Sequence, residues 1–455
     1  MTIIHRRQAL RLPPTPSALQ SCKAKKPNNR KALSENAKAP FDIRKVLLSR
    51  KGALLTEQIS QTIIESPRNA PGEKQMITET LSKSIDYLLK NAGPVIRLRL
   101  KRDILHTLTE DEEACLLKEI RLLPHYRLVE SYKKPNGYIG SGMHSWSNWR
   151  GKVLHETPLQ DGENAARLLS MYALPKSDPL IKGLIAAMRS DDILKEEFSY
   201  IPPEKARFSN RFTGLNNGNC LMAMIYALQA MLGFGDDFED TKAFQKTALR
   251  GFERILEINS ISDITHPRTN TKSKYAFPYL SSDEYFPDIY TLTILAYTSS
   301  WRNADSVSLL ARSLNRINRI MKPDTEIHVK IGSRYYAPCF AFSRPLRAFD
   351  ANIIDTINYR KILTEIAMTG VGTQAEILKT SAENILSSLD ENGILRIDFS
   401  RPHNKRYSPK SIEYPGPYTD VRLEADYANK NNVFLDLTFW AVELIHLIEN
   451  ADRKE

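Results

Sequence analysis

The sequence predicts an all-α fold in which helix hairpins pack side by side, and three observations support this prediction. Four polar turns recur along the chain, and an apolar segment with helical periodicity lies on each side of every turn. This repetition has a long period, which is typical of architectures built from stacked helix pairs. Apolar residues make up 42% of the chain, which is enough for a sizeable core.

The turns contain glycine, proline, asparagine or aspartate, and they lie at 174–178, 233–237, 300–305 and 369–373. The helices predicted before them are 168–174, 222–232, 292–297 and 362–368. The helices predicted after them are 180–188, 244–256, 307–321 and 377–389. One hairpin cannot bury its own apolar face, so we expect the hairpins to form a solenoid or a closed ring.

The elements outside the repeats are less regular. Residues 42–65 and 75–91 predict short amphipathic helices, and 94–105 predicts another helix because Pro94 suits a first helical position. A short β-hairpin is expected at 326–337, with its turn at Gly332-Ser333. We therefore divide the chain into a tail at 1–40, N-terminal helices at 41–91 and a helical domain at 92–455.

The N-terminal tail carries the excess charge of the protein. Residues 1–52 hold 13 Lys and Arg against two acids, a net +11 that equals the net charge of the whole chain. Such a proline-rich, apolar-poor composition predicts disorder for residues 1–40. The tail could be a simple extension, a targeting segment or a contact for polyanions. The balanced remainder argues against a basic nucleic-acid-binding domain.

Composition and motifs exclude several function classes. No apolar stretch reaches the ~20 residues of a membrane span, and the four distant cysteines predict neither a disulfide framework nor a CxxC metal site. Reduced cysteines favour a cytoplasmic protein. Motifs for dinucleotides, nucleoside triphosphates, zinc proteases and serine hydrolases are absent from the sequence. We therefore predict no cofactor and no metal site.

The repeated hairpins, with two similar turns at Asn136-Gly137 and Asn392-Gly393, resemble the repeats of terpenoid cyclases and protein prenyltransferase β-subunits. The resemblance extends over about 90–450, and is nearest to uncharacterised bacterial members. It implies an α/α toroid, a double ring of helices around a central cavity. Asp236–Asp240 reads as DDxxD, which binds magnesium and a diphosphate in class I terpene synthases. Here the motif lies in a turn, which favours a helix cap.

The toroid would bring distant polar side chains together in the central cavity. His144 is a candidate acid or base, because its side chain titrates near neutral pH. It lies in a glycine-rich segment with Trp146, Trp149 and Arg150. The aromatic faces of the two tryptophans suit a sugar, an isoprenoid or a cation. The alternative is that the two tryptophans only plug one end of the ring.

Glu163 and Asp436 are the candidate catalytic carboxylates. Glu163 opens a helix and could face His144, although helix capping explains an acid there equally well. Asp436 lies in an apolar run, and a buried acid must be paired or have a shifted pKa. Tyr285, Asp288 and Glu424 are further substrate-binding candidates, and Asp288 also suits the start of a helix.

These residues predict an enzyme that acts on an isoprenoid-like or glycan-like substrate in a central cavity, with a small molecule or a peptide as ligand. The alternative is a non-catalytic helical-repeat scaffold that binds a partner in the same concavity. Converging carboxylates, histidine and aromatic side chains in a deep pocket would favour the enzyme, whereas an apolar, plugged centre would favour the scaffold.

Overall fold

The fold is known from a computed structural model, which describes residues 79–140, 161–197, 220–268, 277–280, 284, 286–321, 325–331, 334–336, 342, 344–353, 360–400 and 422–452. All of them belong to one compact unit, Ile43–Glu455. The predicted tail at 1–40 and the predicted helix at 42–65 lie outside the described residues.

The described part of the chain is mostly helical, as predicted. Its first seven α-helices are α1 (Glu79–Asn91), α2 (Pro94–Arg99), α3 (Glu110–Ile120), α4 (Pro124–Ser131), α5 (Gly162–Met171), α6 (Pro179–Met188) and α7 (Asp191–Glu197). The other seven are α8 (Cys220–Met231), α9 (Glu239–Ile255), α10 (Ile289–Ala296), α11 (Ala304–Ile320), α12 (Arg360–Met368), α13 (Glu376–Ser388) and α14 (Lys430–Asp452).

The predicted hairpins are confirmed. They are α5–α6, α8–α9, α10–α11 and α12–α13, and in each the two helices are joined by seven residues: 172–178, 232–238, 297–303 and 369–375. Polar caps start two of the second helices, α6 and α11. Pro179 begins α6 after the Asp178 cap, and the Asn303 side chain accepts a hydrogen bond from the Ser306 N–H at the start of α11.

The two helices of a hairpin differ in burial. All eight residues of α10 are buried, and so are eight of the nine residues of α12. By contrast, α9 and α11 bury only one side of the helix. We refer to α5, α8, α10, α12 and α14 as the core helices, and to α6, α9, α11 and α13 as the cover helices.

The core helices pack in chain order. α5 contacts α8, α8 contacts α10, α10 contacts α12, and α12 contacts α14. The last of these also packs against α1 and against a π-helical turn, Leu100–Ile104, that continues α2. The predicted helix at 94–105 is therefore confirmed, in two parts. Among the described elements, α9 and α11 form a matching contact between cover helices.

A short four-stranded sheet lies between hairpins, in the order β1 (Thr265–His266), β2 (Tyr279–Leu280), β3 (His328–Ile331) and β4 (Arg334–Tyr336). The pair β3–β4 is the predicted hairpin, with Lys330 opposite Tyr335. The sequence did not predict β1 and β2, because a segment of two residues is too short to show an alternating pattern. In β2 and β3, Tyr279 pairs with His328 in a parallel register.

The acidic motif at 236–240 clamps neighbouring hairpins together. The Ser299 N–H and the Ser300 hydroxyl donate to Asp236 at 2.8 and 2.6 Å, across the turn of the next hairpin. Asp237 pairs with Lys176, and Asp240 with Arg189, in the preceding hairpin. The three aspartates of the motif thus contact three different parts of the chain: the turn of the next hairpin, the turn of the preceding hairpin and the end of α6. The N-cap residue of α9 is Phe238, without a side-chain cap, whereas Glu239 and Asp240 lie in the first turn of α9, as expected for acids at a helix N-terminus.

We expect Asp236→Ala to lower the free energy of unfolding by about 2–3 kcal/mol, because hydrogen bonds to a charged group are lost. Partial burial alone would raise the pKa of Asp236, but bonds from Ser300, Ser299 and Gln245 lower it to about 2. This stabilisation is present above pH ~4 and is lost as the pH falls toward 2.

Urea unfolding of Asp236→Ala and of Asp237→Ala at pH 7 and pH 3 tests this assignment. The exposed pair of Asp237 with Lys176 should contribute less than about 1 kcal/mol to the free energy of unfolding. Equal losses in the two variants would contradict the clamp.

Within the described ranges, no helix combines the length and apolar character that crossing a membrane requires.

Candidate functional site

Charged and hydroxyl side chains are concentrated in the first turns of the core helices. Side-chain hydrogen bonds join the first turn of α5 to the first turn of α10, and Lys361 in the first turn of α12 to Thr293 of α10. The N-terminal parts of these three core helices therefore lie close together. Glu163 in α5, Asp288 and Tyr290 at the start of α10, and Lys361 in α12 occupy these turns.

The first part of the site is a charge pair within α5. Arg167 Nη2 donates to Glu163 Oε1 at 2.7 Å, and both side chains are at most 3% exposed. The spacing of four residues places them on one face of the helix. From α10, the Tyr290 hydroxyl donates to the other Glu163 oxygen at 3.3 Å. The carboxylate that the sequence singled out is thus held between two core helices.

A second pair repeats this arrangement in α12. Lys361 forms an ion pair with Glu365, again four residues apart, and both are buried. The Thr293 hydroxyl of α10 donates to Glu365 Oε2 at 2.9 Å. Arg167 lies close enough to Glu365 to interact electrostatically with it. We refer to Glu163, Arg167, Tyr290, Thr293, Lys361 and Glu365 as the polar centre.

A third pair joins α2 to α14. Arg99 forms an ion pair with Glu443, and its guanidinium lies 4.9 Å from the centroid of the Phe439 ring. Tyr297, at the end of α10, is close to both charges and to the polar centre. Burial raises the pKa of the Tyr297 hydroxyl, and the Glu365 charge adds to this effect. This hydroxyl therefore stays protonated at neutral pH.

Asp288 caps α10 and is fully enclosed. One carboxyl oxygen accepts the Tyr290 and Thr291 N–H groups at 2.9 and 3.0 Å, as the predicted cap requires. The other oxygen is buried and has no hydrogen-bond partner in the part of the chain that the structure describes. Burial raises the pKa of Asp288 to about 7, although the helix N–H groups oppose the shift. Its carboxyl group can therefore carry a proton near neutral pH.

Asp436 lies in a separate cluster. It lies inside α14, six residues after the helix begins, and it is buried as its apolar surroundings in the sequence predicted. One oxygen accepts the Leu423 N–H at 2.9 Å and the Tyr427 hydroxyl. These bonds attach the segment before α14 to the helix. This environment suits an anchoring role for Asp436 better than direct proton transfer.

Glu424 and Tyr172 lie in the same region as Asp436. Glu424 accepts the Gly93 N–H at 2.7 Å, and burial raises the pKa of its carboxyl group. The Tyr172 hydroxyl is buried and has no hydrogen-bond partner within the described ranges, and burial raises its pKa well above the usual range. Arg422 donates to His125 Nε2 at 2.9 Å beside them. Glu424 thus links the starts of α2 and α14.

The structure places four of the nine predicted site residues: Glu163 and Asp288 at the starts of α5 and α10, and Glu424 and Asp436 in the other cluster. The remaining five, His144, Trp146, Trp149, Arg150 and Tyr285, lie outside the described residues. Sequence reasoning missed Arg167, Lys361 and Glu365. The available signal was the four-residue spacing of opposite charges within otherwise apolar helices.

The described residues contain no group of three or more His, Cys, Asp and Glu side chains that could hold a metal ion. The chain matches no known protein family, no curated protein and no solved structure.

Proposed function

We propose that this chain is an α/α-toroid enzyme that acts on a glycan-like substrate at the end where its core helices begin. The observation that carries the proposal is the polar centre, in which α5, α10 and α12 meet through charges and hydroxyls. Burying charges is costly, so an interior that needed only stability would favour apolar contacts there. This argument also favours the enzyme over the non-catalytic scaffold.

The order of contacts supports a closed ring. Successive core helices pack from α5 to α14, and α14 contacts the π-helical turn after α2. Arg102, in that turn, donates from Nη1 to the carbonyl oxygen of Ala173 at 3.0 Å, two residues beyond α5. This bond links the turn after α2 to the segment that follows α5, which supports the proposed ring.

The hydrogen-bonding groups favour a polyhydroxylated ligand over an isoprenoid. Arg99 Nη1 and Arg167 Nε are buried donors that find no partner among the described residues, while each guanidinium is already neutralised by a glutamate. A spare N–H on a neutralised guanidinium suits an uncharged hydroxyl or ether oxygen. An isoprenoid chain offers no such acceptor, and it would leave these donors unsatisfied.

Two carboxyl groups provide acid–base chemistry in this proposal. Asp288 carries a proton near neutral pH and can act as a general acid. Glu163 accepts hydrogen bonds from the Arg167 guanidinium and the Tyr290 hydroxyl. In this proposal it is therefore the ionised carboxylate that acts together with the protonated Asp288. Carboxyl groups whose surroundings differ in this way are typical of enzymes that use one acid and one base.

A thermal-shift panel tests the ligand class. Neutral and acidic oligosaccharides are compared with farnesol and farnesyl diphosphate, and release of reducing ends is measured for each saccharide. A bound saccharide at 100 times its Kd should stabilise the wild type by about 2.7 kcal/mol. We expect Glu163→Gln to lose this shift and any cleavage.

The matched control is Glu119→Gln, which makes the same change in an exposed pair with Arg97. It should keep the full saccharide response. A shift with the isoprenoids alone would contradict the glycan proposal. A saccharide shift that Glu163→Gln retains would exclude the polar centre as the binding site.

A further inference from the structure

The small sheet presents a face on which aromatic and basic side chains alternate. His266, Tyr279, His328, Lys330 and Tyr335 share this face, because paired residues and residues two apart along a strand point the same way. With Arg268, these six residues form what we call the basic–aromatic face. Its side chains are exposed at His266 and Lys330, and partly exposed at Tyr279 and Tyr335.

The aromatic rings of this face hold its cations in place. The rings of Tyr279 and Tyr335 lie 5.3 Å apart at 61°. The Lys330 ammonium is 5.3 and 5.8 Å from their centroids, and the Arg268 guanidinium is 4.2 Å from the Tyr335 ring. Cation–π contacts fix a positive charge without neutralising it. The charges of Lys330 and Arg268 are therefore positioned before any ligand binds.

Lys330 has no ion pair within the described residues, whereas Arg189, Arg254 and Arg319 each pair with an acid. The nearby Glu326 is already paired with His328 and Arg344. This face is thus complementary to a negatively charged partner, although the body of the protein has no net charge.

The position of the sheet relates this face to the proposed site. The strands β1 and β2 connect the end of α9 to the start of α10, and β3 and β4 connect the end of α11 to the start of α12. The sheet is thus part of the connections that lead into the starts of α10 and α12, where Asp288 and Lys361 lie.

We infer that the basic–aromatic face binds an anionic polysaccharide whose chain extends from the polar centre across the sheet. This inference rests on the proposed function for the identity of the polymer. Lys330 and Arg268 contact its carboxylate or sulfate groups, and exposed aromatic edges contact its sugar rings. A polymer longer than the central site can hold needs such an outer subsite.

Binding of polygalacturonate to the full chain tests the inference, with dextran as the neutral polymer and poly(U) RNA as the competing polyanion. We expect Lys330→Glu to raise the Kd for polygalacturonate about tenfold. The control Lys379→Glu makes the same charge change on exposed α13, so the basic tail contributes equally to both. Its Kd should change less than twofold.

A second variant separates a built site from net charge. Tyr335→Ala leaves the charge unchanged but removes the ring that holds Lys330 and Arg268, and it should also weaken binding severalfold. Circular dichroism and thermal unfolding of each variant establish that it is folded. Dextran binding should be unaffected by either lysine substitution.

Three results would overturn the inference. Equal effects of Lys330→Glu and Lys379→Glu would show that this face contributes only net charge. If poly(U) binds more tightly than polygalacturonate, and if Lys330→Glu raises the Kd for poly(U) by the larger factor, the face is a nucleic-acid surface instead. Loss of dextran binding in Lys330→Glu would show that this face does not distinguish a charged polymer from a neutral one. If Lys330→Glu weakens the binding of polygalacturonate but Glu163→Gln changes neither that binding nor the thermal shift, only the proposed interior site is refuted, and the inference about the sheet stands.

Discussion

Replacing Arg167 by methionine is expected to lower the free energy of unfolding by about 3–5 kcal/mol, because Glu163 remains buried without its guanidinium. Arg167 and Glu163 are 3% and 1% exposed, so water cannot replace the lost charge. Only the Tyr290 hydroxyl among the contacts described above would still reach this carboxylate. Urea unfolding at pH 7 measures the loss.

Two comparison variants show whether the cost comes from burial. Arg167→Met combined with Glu163→Leu removes both charges and should restore much of the lost stability, since a buried ion pair and an apolar pair are often similar in stability. Arg319→Met removes one partner of an exposed pair with Glu376 and should cost less than about 1 kcal/mol. Equal costs for Arg167→Met and Arg319→Met would contradict a desolvated polar centre.

Asp288→Asn is expected to change how stability depends on pH. The pKa of Asp288 is about 7 in the folded protein and ~3.9 in the unfolded chain. The folded state therefore holds the proton more tightly, and the free energy of unfolding falls as the pH rises from about 4 to 7. Asparagine cannot ionise, and its carbonyl oxygen can still accept the two helix N–H groups.

The asparagine variant should therefore be more stable than the wild type at pH 8, by at most about 4 kcal/mol, and similar to it near pH 4. Urea unfolding between pH 4 and 8 measures both curves. Asp178→Asn is the contrasting control, because this buried cap of α6 is paired with Arg121 and its charge is used. An unchanged slope in Asp288→Asn would show that the carboxyl group is ionised throughout this range.

The same variant informs the proposed chemistry. If Asp288 donates a proton to a leaving group, Asp288→Asn should fold stably and lose cleavage while it retains the saccharide-induced thermal shift. A role in capping alone predicts that both properties are kept, because asparagine is an equally good cap. Stability and catalysis therefore respond in opposite directions to one substitution.

Much of the helical framework could be predicted from local signals. The turn residues around Gly233 and Gly370 interrupt apolar periodicity, and Pro94 and Pro179 mark helix starts, so all four hairpins were correctly predicted. The sheet was predicted only in part, because Thr265–His266 and Tyr279–Leu280 are two-residue strands without a detectable pattern of alternation. Their pairing depends on the neighbouring hairpin at 328–336.

The candidate site was less accessible from the sequence, since it depends on which helices meet. The spacing of Glu163 and Arg167 identifies a pair along one helix, but nothing local indicates that Tyr290 contacts the same carboxylate from 127 residues away. Asp436 was chosen for its apolar surroundings, yet its partners are Leu423 and Tyr427 in the preceding segment. Asp236 likewise binds the turn at Ser299 and Ser300 in the next hairpin.

The sequence by itself determined which segments form the helices of the four hairpins and located their ends to within a few residues, because capping, periodicity and turn chemistry act over a few residues. Only the tertiary structure decided which charges are buried together, which carboxyl group keeps a proton and which face of the sheet is basic. Each of these depends on desolvation and on distances between side chains that are remote in the chain, and no local pattern encodes them.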